Sequence, residues 1–99
     1  MAHYRITVLK RMANPDLVAE HSDKNVVAPC PKFRDGQVFE CTNFDKPDDF
    51  CSWAWADIHR DAMLVAQGGH MPGIKKDGVA IVCCTDGVRP VVFKAERLD

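Results

Sequence analysis

The sequence predicts an α+β fold: a small, mostly antiparallel sheet of four to five strands with one main helix packed on one face. Three observations predict it. Short runs of β-branched and alternating apolar residues are typical of strands, and the stretch 52–67 has an apolar stripe with the helical period. An Asp-Gly dipeptide between two apolar runs indicates a hairpin. The 99 residues and the 46% apolar fraction suit a single domain, residues 1–99.

Four stretches of the chain are predicted to be strands: 4–10, 36–41, 79–84 and 90–97. The first alternates, with Tyr4, Ile6 and Val8 on one face. The last two are the most apolar part of the chain and are predicted to be the spine of the core. They meet at Asp86-Gly87, where glycine is expected to take a positive φ in a type I′ turn.

Two helices are predicted from periodicity and end signals. The apolar stripe of the main helix consists of Trp55, Ile58, Ala62, Val65 and Ala66. Gly68 is expected to end this helix in the left-handed conformation. A shorter helix is predicted to begin with Asn14 as its N-cap and Pro15 in the first helical position.

Charge and composition argue against two classes of partner. The net charge of −1 gives no electrostatic footprint for nucleic acid, and no apolar run approaches the roughly 18 residues that a membrane span needs. The N-terminal residues lack the apolar region of a signal peptide, so the protein is predicted to be cytoplasmic. In that reducing compartment, five cysteines indicate core filling, metal ligation or catalysis more than disulfides.

The cysteines fall at the ends of predicted elements, where sites are usually built. Cys30 lies between two prolines, Cys51 lies at the start of the main helix, and Cys83 and Cys84 lie at a strand end. We therefore expect Cys30, Cys51 and at least one of the adjacent pair to converge. Cys41 lies within a strand and is expected to pack in the core.

Four segments carry a more specific pattern. They are Cys30-Pro31-x-Phe33 with Gly36-Gln37-x-Phe39, Lys46-Pro47-x-x-Phe50-Cys51-x-x-Ala54-Trp55-x-Asp57-Ile58, Gly68-Gly69, and Cys83-Cys84-Thr85-Asp86-Gly87-x-Arg89-Pro90-Val91-x-Phe93-Lys94-x-Glu96-Arg97. Together they resemble a family of small bacterial and archaeal proteins, frequent in anaerobes and described as uncharacterised. The resemblance covers nearly the whole chain and includes every cysteine except Cys41. It implies which residues matter and brings no established activity with it.

The first functional hypothesis is a metal site. Four thiolates suit tetrahedral zinc or an iron–sulfur cluster, bound here through Cys30, Cys51, Cys83 and Cys84 in a redox or accessory role. The spacing contains no Cys-x-x-Cys. Adjacent cysteines point to opposite faces of a regular strand, so both reach one metal only if the strand ends or bulges there.

Two other classes of function stay open. The chain could be a small cysteine-dependent enzyme acting on an anionic substrate, with Cys51 or Cys83 as nucleophile and with Asp86 and Arg89 binding the substrate or cofactor. The nearest candidate bases are His59 and His70. Alternatively, the chain is a non-catalytic binding or oligomerisation module with buried thiols. A homo-oligomer or a protein partner is predicted in either case, and Asp86 and Arg89 are predicted to pair with each other, directly or through a ligand.

Overall fold

This computed structural model describes residues 3–98, which contain four strands and two helices. They are β1 Tyr4–Arg11, α1 Pro15–His21, β2 Val38–Cys41, α2 Ser52–Ala66, β3 Val79–Cys83 and β4 Val91–Arg97. The strands form one antiparallel sheet in the order β2-β1-β4-β3, so the predicted α+β class is confirmed. Neither of these helices combines the length and the apolarity that crossing a bilayer requires.

The sheet buries one face because β1 alternates as predicted. Tyr4, Ile6 and Val8 are fully buried, whereas Arg5 and Thr7 between them are partly exposed. As a central strand, β1 pairs with β2 on one side and with β4 on the other. Its neighbour β4 repeats the same alternation, which gives the sheet a continuous apolar face.

Helix α2 packs across β3 and β4. Its buried side chains are Ala54, Ile58, Ala62, Met63, Val65 and Ala66. Because several of these, and Ala80 and Ala95 on the strands, are small, helix and sheet can approach closely. Trp55, predicted for the buried stripe, is only half-buried and packs edge-on against Phe50 and His59. Gly68 follows the helix with a φ of +105° and ends it as predicted.

A cluster of four phenylalanines fixes the two segments that carry Cys30 and Cys51. Phe33 and Phe50 are buried against Phe39 of β2 and Phe93 of β4, with ring centroids 4.9 to 6.1 Å apart. All of these pairs except the tilted Phe50–Phe93 pair pack edge-to-face, and such packing adds to the hydrophobic contribution. The cluster therefore holds the loop after Cys30 and the start of α2 at one end of the sheet.

The prediction for the turn between β3 and β4 is wrong. Gly87 does not have a positive φ, and the connection runs from 84 to 90 in place of a two-residue type I′ turn. The carboxylate of Asp86 shapes this connection, because its Oδ1 accepts the backbone N–H groups of Val88 and Arg89 at 3.1 and 3.3 Å. An aspartate that bonds to amides two and three residues onward makes the bend that glycine was expected to make.

Gly78 and Gly87 are expected to differ in their tolerance of substitution. Replacing Gly78 should destabilise the fold, whereas replacing Gly87 should not. Gly78 has a φ of +77°, and a Cβ there would lie 3.1 Å from the guanidinium of Arg97, so Gly78→Ala should lower the free energy of unfolding by about 1–2 kcal/mol. At Gly87 an added Cβ meets nothing within 4 Å, and Gly87→Ala should change stability by no more than about 0.5 kcal/mol. Urea unfolding of both variants measures the difference. Equal losses would contradict this assignment.

Candidate functional site

Three thiols line one cavity of about 590 Å³ at the end of the sheet beside the start of α2. They are Cys30, Cys51 and Cys84, as the convergence prediction requires. Each comes from a different segment: the loop before β2, the N-terminus of α2, and the β3–β4 connection. The remaining lining residues are Lys32, Phe33, Trp53, Ala54, Thr85, Asp86, Gly87, Arg89 and Val91.

Cys30 is held by its neighbours in the loop and by β1. The Nη1 of Arg11 donates a hydrogen bond to the carbonyl of Cys30 at 3.2 Å. The Nε of the same guanidinium donates to Asp35 Oδ1 at 3.1 Å. Buried Phe33, three residues on, anchors the other end of this segment. The thiol is half-buried and free, so it is available to the cavity.

Cys51 is the N-cap residue of α2, and its own side chain makes no capping hydrogen bond. Its carbonyl accepts the amide of Trp55 at 2.9 Å, the first bond of the helix. The residue before it, Phe50, is buried in the phenylalanine cluster. The backbone of Cys51 is therefore fixed at the start of α2, which places its side chain at the positive end of the helix dipole, where negative charge is stabilised.

The two adjacent cysteines face opposite ways, as expected for a regular strand. Cys84 is half-buried and its Sγ accepts the backbone N–H of Val91 at 3.3 Å. Cys83 ends β3 with its side chain exposed, and it does not line the cavity. Although the residue is exposed, partial desolvation raises the pKa of the Cys83 thiol, and Cys84 and Asp57 raise it further. Of the four cysteines predicted as ligands, only Cys83 lies outside the cavity.

Cys41 stands apart in the core, as predicted. It lies opposite Tyr4 in the β1–β2 pairing and is almost completely buried. Burial raises the pKa of the Cys41 thiol. This is the environment of an inert packing thiol. Buried thiols, as the binding-module hypothesis expects, are thus found at Cys41 and not at the other four cysteines.

The predicted pairing of Asp86 and Arg89 is confirmed. Arg89 Nε donates to Asp86 Oδ2 at 2.9 Å, and Arg89 Nη1 donates to the carbonyl of Val27 at 2.8 Å. Burial opposes ionisation of Asp86, but the hydrogen bonds from the guanidinium and from two backbone amides outweigh it and lower the pKa of the carboxyl. The hydrogen bond to Asp86 in turn raises the pKa of Arg89, to which the neighbouring Cys30 and Cys51 thiols also contribute.

A second network, which sequence analysis missed, ties the connection to α2. Asp57 Oδ2 accepts the amide and the hydroxyl of Thr85 at 2.7 and 3.0 Å. Thr85 Oγ1 in turn accepts the indole N–H of Trp53 at 2.9 Å. Trp53 and Asp57 are four residues apart and so share a face of α2, which is a signal that could have paired them. Their common partner, Thr85, lies in another segment, and no local sequence pattern links it to α2.

The two histidines considered as bases lie elsewhere. His59 packs edge-on against Trp55, and His70 Nδ1 lies 2.9 Å from Asp77 Oδ1. Neither lines the cavity. Within residues 3–98, no three His, Cys, Asp or Glu side chains are close enough to form a ready-made metal site. The three thiols are therefore distributed around the cavity and not gathered at one point.

Comparison with known proteins identifies no relative of this chain. No protein-family model, curated protein or solved structure matches it. The family resemblance of the four segments stays a prediction, and evidence for function comes from the chemistry of the cavity.

Proposed function

We propose that the protein binds an iron–sulfur cluster in this cavity through Cys30, Cys51 and Cys84. The observation that carries the proposal is the convergence of three free thiols from three separate segments on one cavity of about 590 Å³. Thiolates are the standard ligands of such clusters. In a reducing cytoplasm, where we propose that the protein resides, these thiols would stay available for metal.

The hydrogen bond to Cys84 supports the same assignment. In a regular antiparallel pair, the amide of Val91 would bond to a backbone carbonyl. It donates to the Sγ of Cys84 instead, at 3.3 Å. Backbone hydrogen bonds to the ligating sulfurs are one of the features by which proteins set the reduction potential of iron–sulfur clusters. A redox or accessory role is therefore the role that we propose for the protein.

The spread of the thiols favours a cluster over a single zinc ion. A tetrahedral zinc site with bonds of about 2.3 Å brings its sulfurs within about 4 Å of one another. In a cluster of four irons and four sulfides, each thiolate binds a different iron, so the cysteine sulfurs are further apart than in a zinc site. Three thiols that come from different segments and do not gather at one point among the described residues suit the second arrangement. Zinc is the alternative that metal analysis distinguishes.

The charges around the cavity also suit a bound thiolate cluster. Three thiolates and the sulfide of a cluster leave the assembly with excess negative charge. Arg89, which lines the same cavity as Cys30 and Cys51 and is held there by Asp86, supplies a compensating positive charge. Lys32, which also lines the cavity, supplies another. Buried or half-buried charge is stabilised when it is paired in this way.

The test is a series of Cys→Ser variants reconstituted anaerobically with ferrous iron and sulfide. Loss of Cys30, Cys51 or Cys84 should lower iron affinity by well over tenfold, since even losing a group that only orients a ligand costs about 10–100-fold. Cys83→Ser is the matched control, because the adjacent thiol points away from the cavity, and it should retain iron. Iron, sulfide and zinc content and visible absorption are measured on each variant.

Three results would contradict the proposal. Equal and small effects at all five cysteines would mean ordinary thiols. If the protein contained stoichiometric zinc and no sulfide, the three cysteines would be zinc ligands and the cluster proposal would be wrong. A protein that binds neither metal, but whose Cys51 reacts rapidly with an alkylating reagent, would favour the cysteine-dependent enzyme.

A further inference from the structure

Arg89 is held in a fixed orientation in the cavity lining, and it has more N–H donors than its hydrogen bonds to Asp86 and Val27 use. A guanidinium has five N–H groups in a planar fork. Two of its nitrogens, Nε and Nη1, already donate to Asp86 and to the carbonyl of Val27. These two contacts hold the guanidinium at two of its nitrogens, so a ligand need not order it on binding. Such preorganised arginines bind carboxylates and phosphates well, because further N–H groups can donate in parallel.

The cavity has an excess of positive charge. Apart from the thiols, its titratable lining residues are two cations, Lys32 and Arg89, and one anion, Asp86. The Asp86 carboxylate is already occupied, since it accepts hydrogen bonds from Arg89 and from two backbone amides. In the metal-free protein, one positive charge of the cavity lining is therefore left without an anion. The site attracts an anionic group in preference to a neutral one.

The rest of the wall is apolar and includes an oriented indole. Phe33, Ala54 and Val91 contribute apolar surface. Trp53 is 68% exposed, yet its Nε1 donates to Thr85, which is in turn fixed by Asp57. An exposed tryptophan held in this way presents a flat surface. A cavity of about 590 Å³ with a few polar groups on an apolar wall is typical of a small-molecule site.

From these contacts we infer that the cavity binds a small organic anion, with its carboxylate or phosphate on Arg89 and Lys32 and its apolar part against Trp53. Among the described residues, three thiols and no fourth line the cavity, so a cluster held there would have one coordination position left for a ligand. In this respect the inference rests on the proposed function. The anion contacts themselves are made by other side chains and do not need the metal.

The experiment is an NMR titration of the reduced, metal-free protein with matched small molecules. Benzoate and phenyl phosphate should shift the indole N–H of Trp53 and the amide of Thr85 saturably. Benzamide, the neutral counterpart of benzoate, and inorganic phosphate, which lacks the ring, should bind at least about tenfold more weakly. Equal binding of benzoate and benzamide would overturn the inference, and so would equal binding of phenyl phosphate and inorganic phosphate.

Variants locate the site. Arg89→Gln and Lys32→Gln should each weaken binding of benzoate and phenyl phosphate by about tenfold. Lys32→Gln keeps the test decisive if Arg89→Gln does not fold, because Lys32 is exposed at the cavity. Arg60→Gln is the matched control: its side chain is 90% exposed on α2, and binding should match the wild type. Wild-type affinity in both cavity variants would overturn the inference.

Iron loading, measured separately on the wild type, distinguishes the two proposals. A protein that binds benzoate but no iron would overturn the proposed function alone. A protein that loads iron and sulfide, but in its metal-free form shows no saturable shift with either anion, would overturn the anion site alone.

Discussion

Replacing Phe50 with alanine is expected to lower the free energy of unfolding by about 3–5 kcal/mol, the range for truncating a buried aromatic side chain. Phe50 is only 2% exposed. Its ring packs against Phe33, Phe39, Phe93 and Trp55, with centroids 4.9 to 5.8 Å away. The surrounding rings come from four different segments, so they cannot easily collapse into the space left behind. Denaturant unfolding measures the loss.

Phe44→Ala is the matched control for Phe50→Ala. Phe44 is 47% exposed, and removing it should change stability by no more than about 0.5 kcal/mol. Because Cys51 follows Phe50 directly, the Phe50 variant should also react faster with thiol reagents at Cys51 under native conditions. A loss at Phe50 no greater than at Phe44 would mean that the phenylalanine cluster does not hold this end of the sheet together.

The regular elements were predictable because their signals are local. The alternation of Tyr4, Ile6 and Val8 is visible within one strand, and the stripe of α2 is visible within one helix. The type I′ turn failed for two reasons: the Asp86 carboxylate accepts the amides of Val88 and Arg89, and Asn14, far along the chain, also holds the connection. The side chain of Asn14 donates to the carbonyl of Gly87 at 2.7 Å, and the amide of Asn14 donates to the carbonyl of Val88 at 2.9 Å. No reading of residues 84–90 alone reveals those contacts.

The site was predictable only where its signals are local. The cysteines at the ends of elements indicated the convergence of Cys30, Cys51 and one member of the adjacent pair. The sequence does not decide between Cys83 and Cys84, because residues 79–82 before them are all apolar and show no alternation of apolar and polar positions. In the structure Ala80 is buried in the core, and Val82 and Cys84 pack against it, so Cys84 continues the alternation of inward-facing positions. Thr85 and Lys32 join the site only through the packing of segments, which local patterns do not report.

Replacing Asp86 with alanine is expected to lower the free energy of unfolding by about 2–3 kcal/mol. The carboxylate accepts hydrogen bonds from two backbone amides and from Arg89, and the net contribution of a hydrogen bond to a charged group is about 1.5–3 kcal/mol. Both side chains of the pair are about one-third exposed, 32% and 28%, so the loss should exceed that of a surface pair and fall below that of a fully buried one. Asp77→Ala, at a side chain 81% exposed, is the control and should cost less than about 0.5 kcal/mol.

The same contacts predict a pH dependence that isolates the charge of Asp86. Its pKa is lowered in the folded protein, so the native state holds a proton there less readily than the unfolded chain does. The stabilisation is therefore fully present above the ordinary aspartate pKa of about 3.9, and it is lost as the pH falls through the lowered value. The stability difference between the wild type and Asp86→Asn, measured by urea unfolding, should narrow below about pH 4. A difference that stays constant from neutral pH into this acid range would show that the charge of Asp86 does not stabilise the connection.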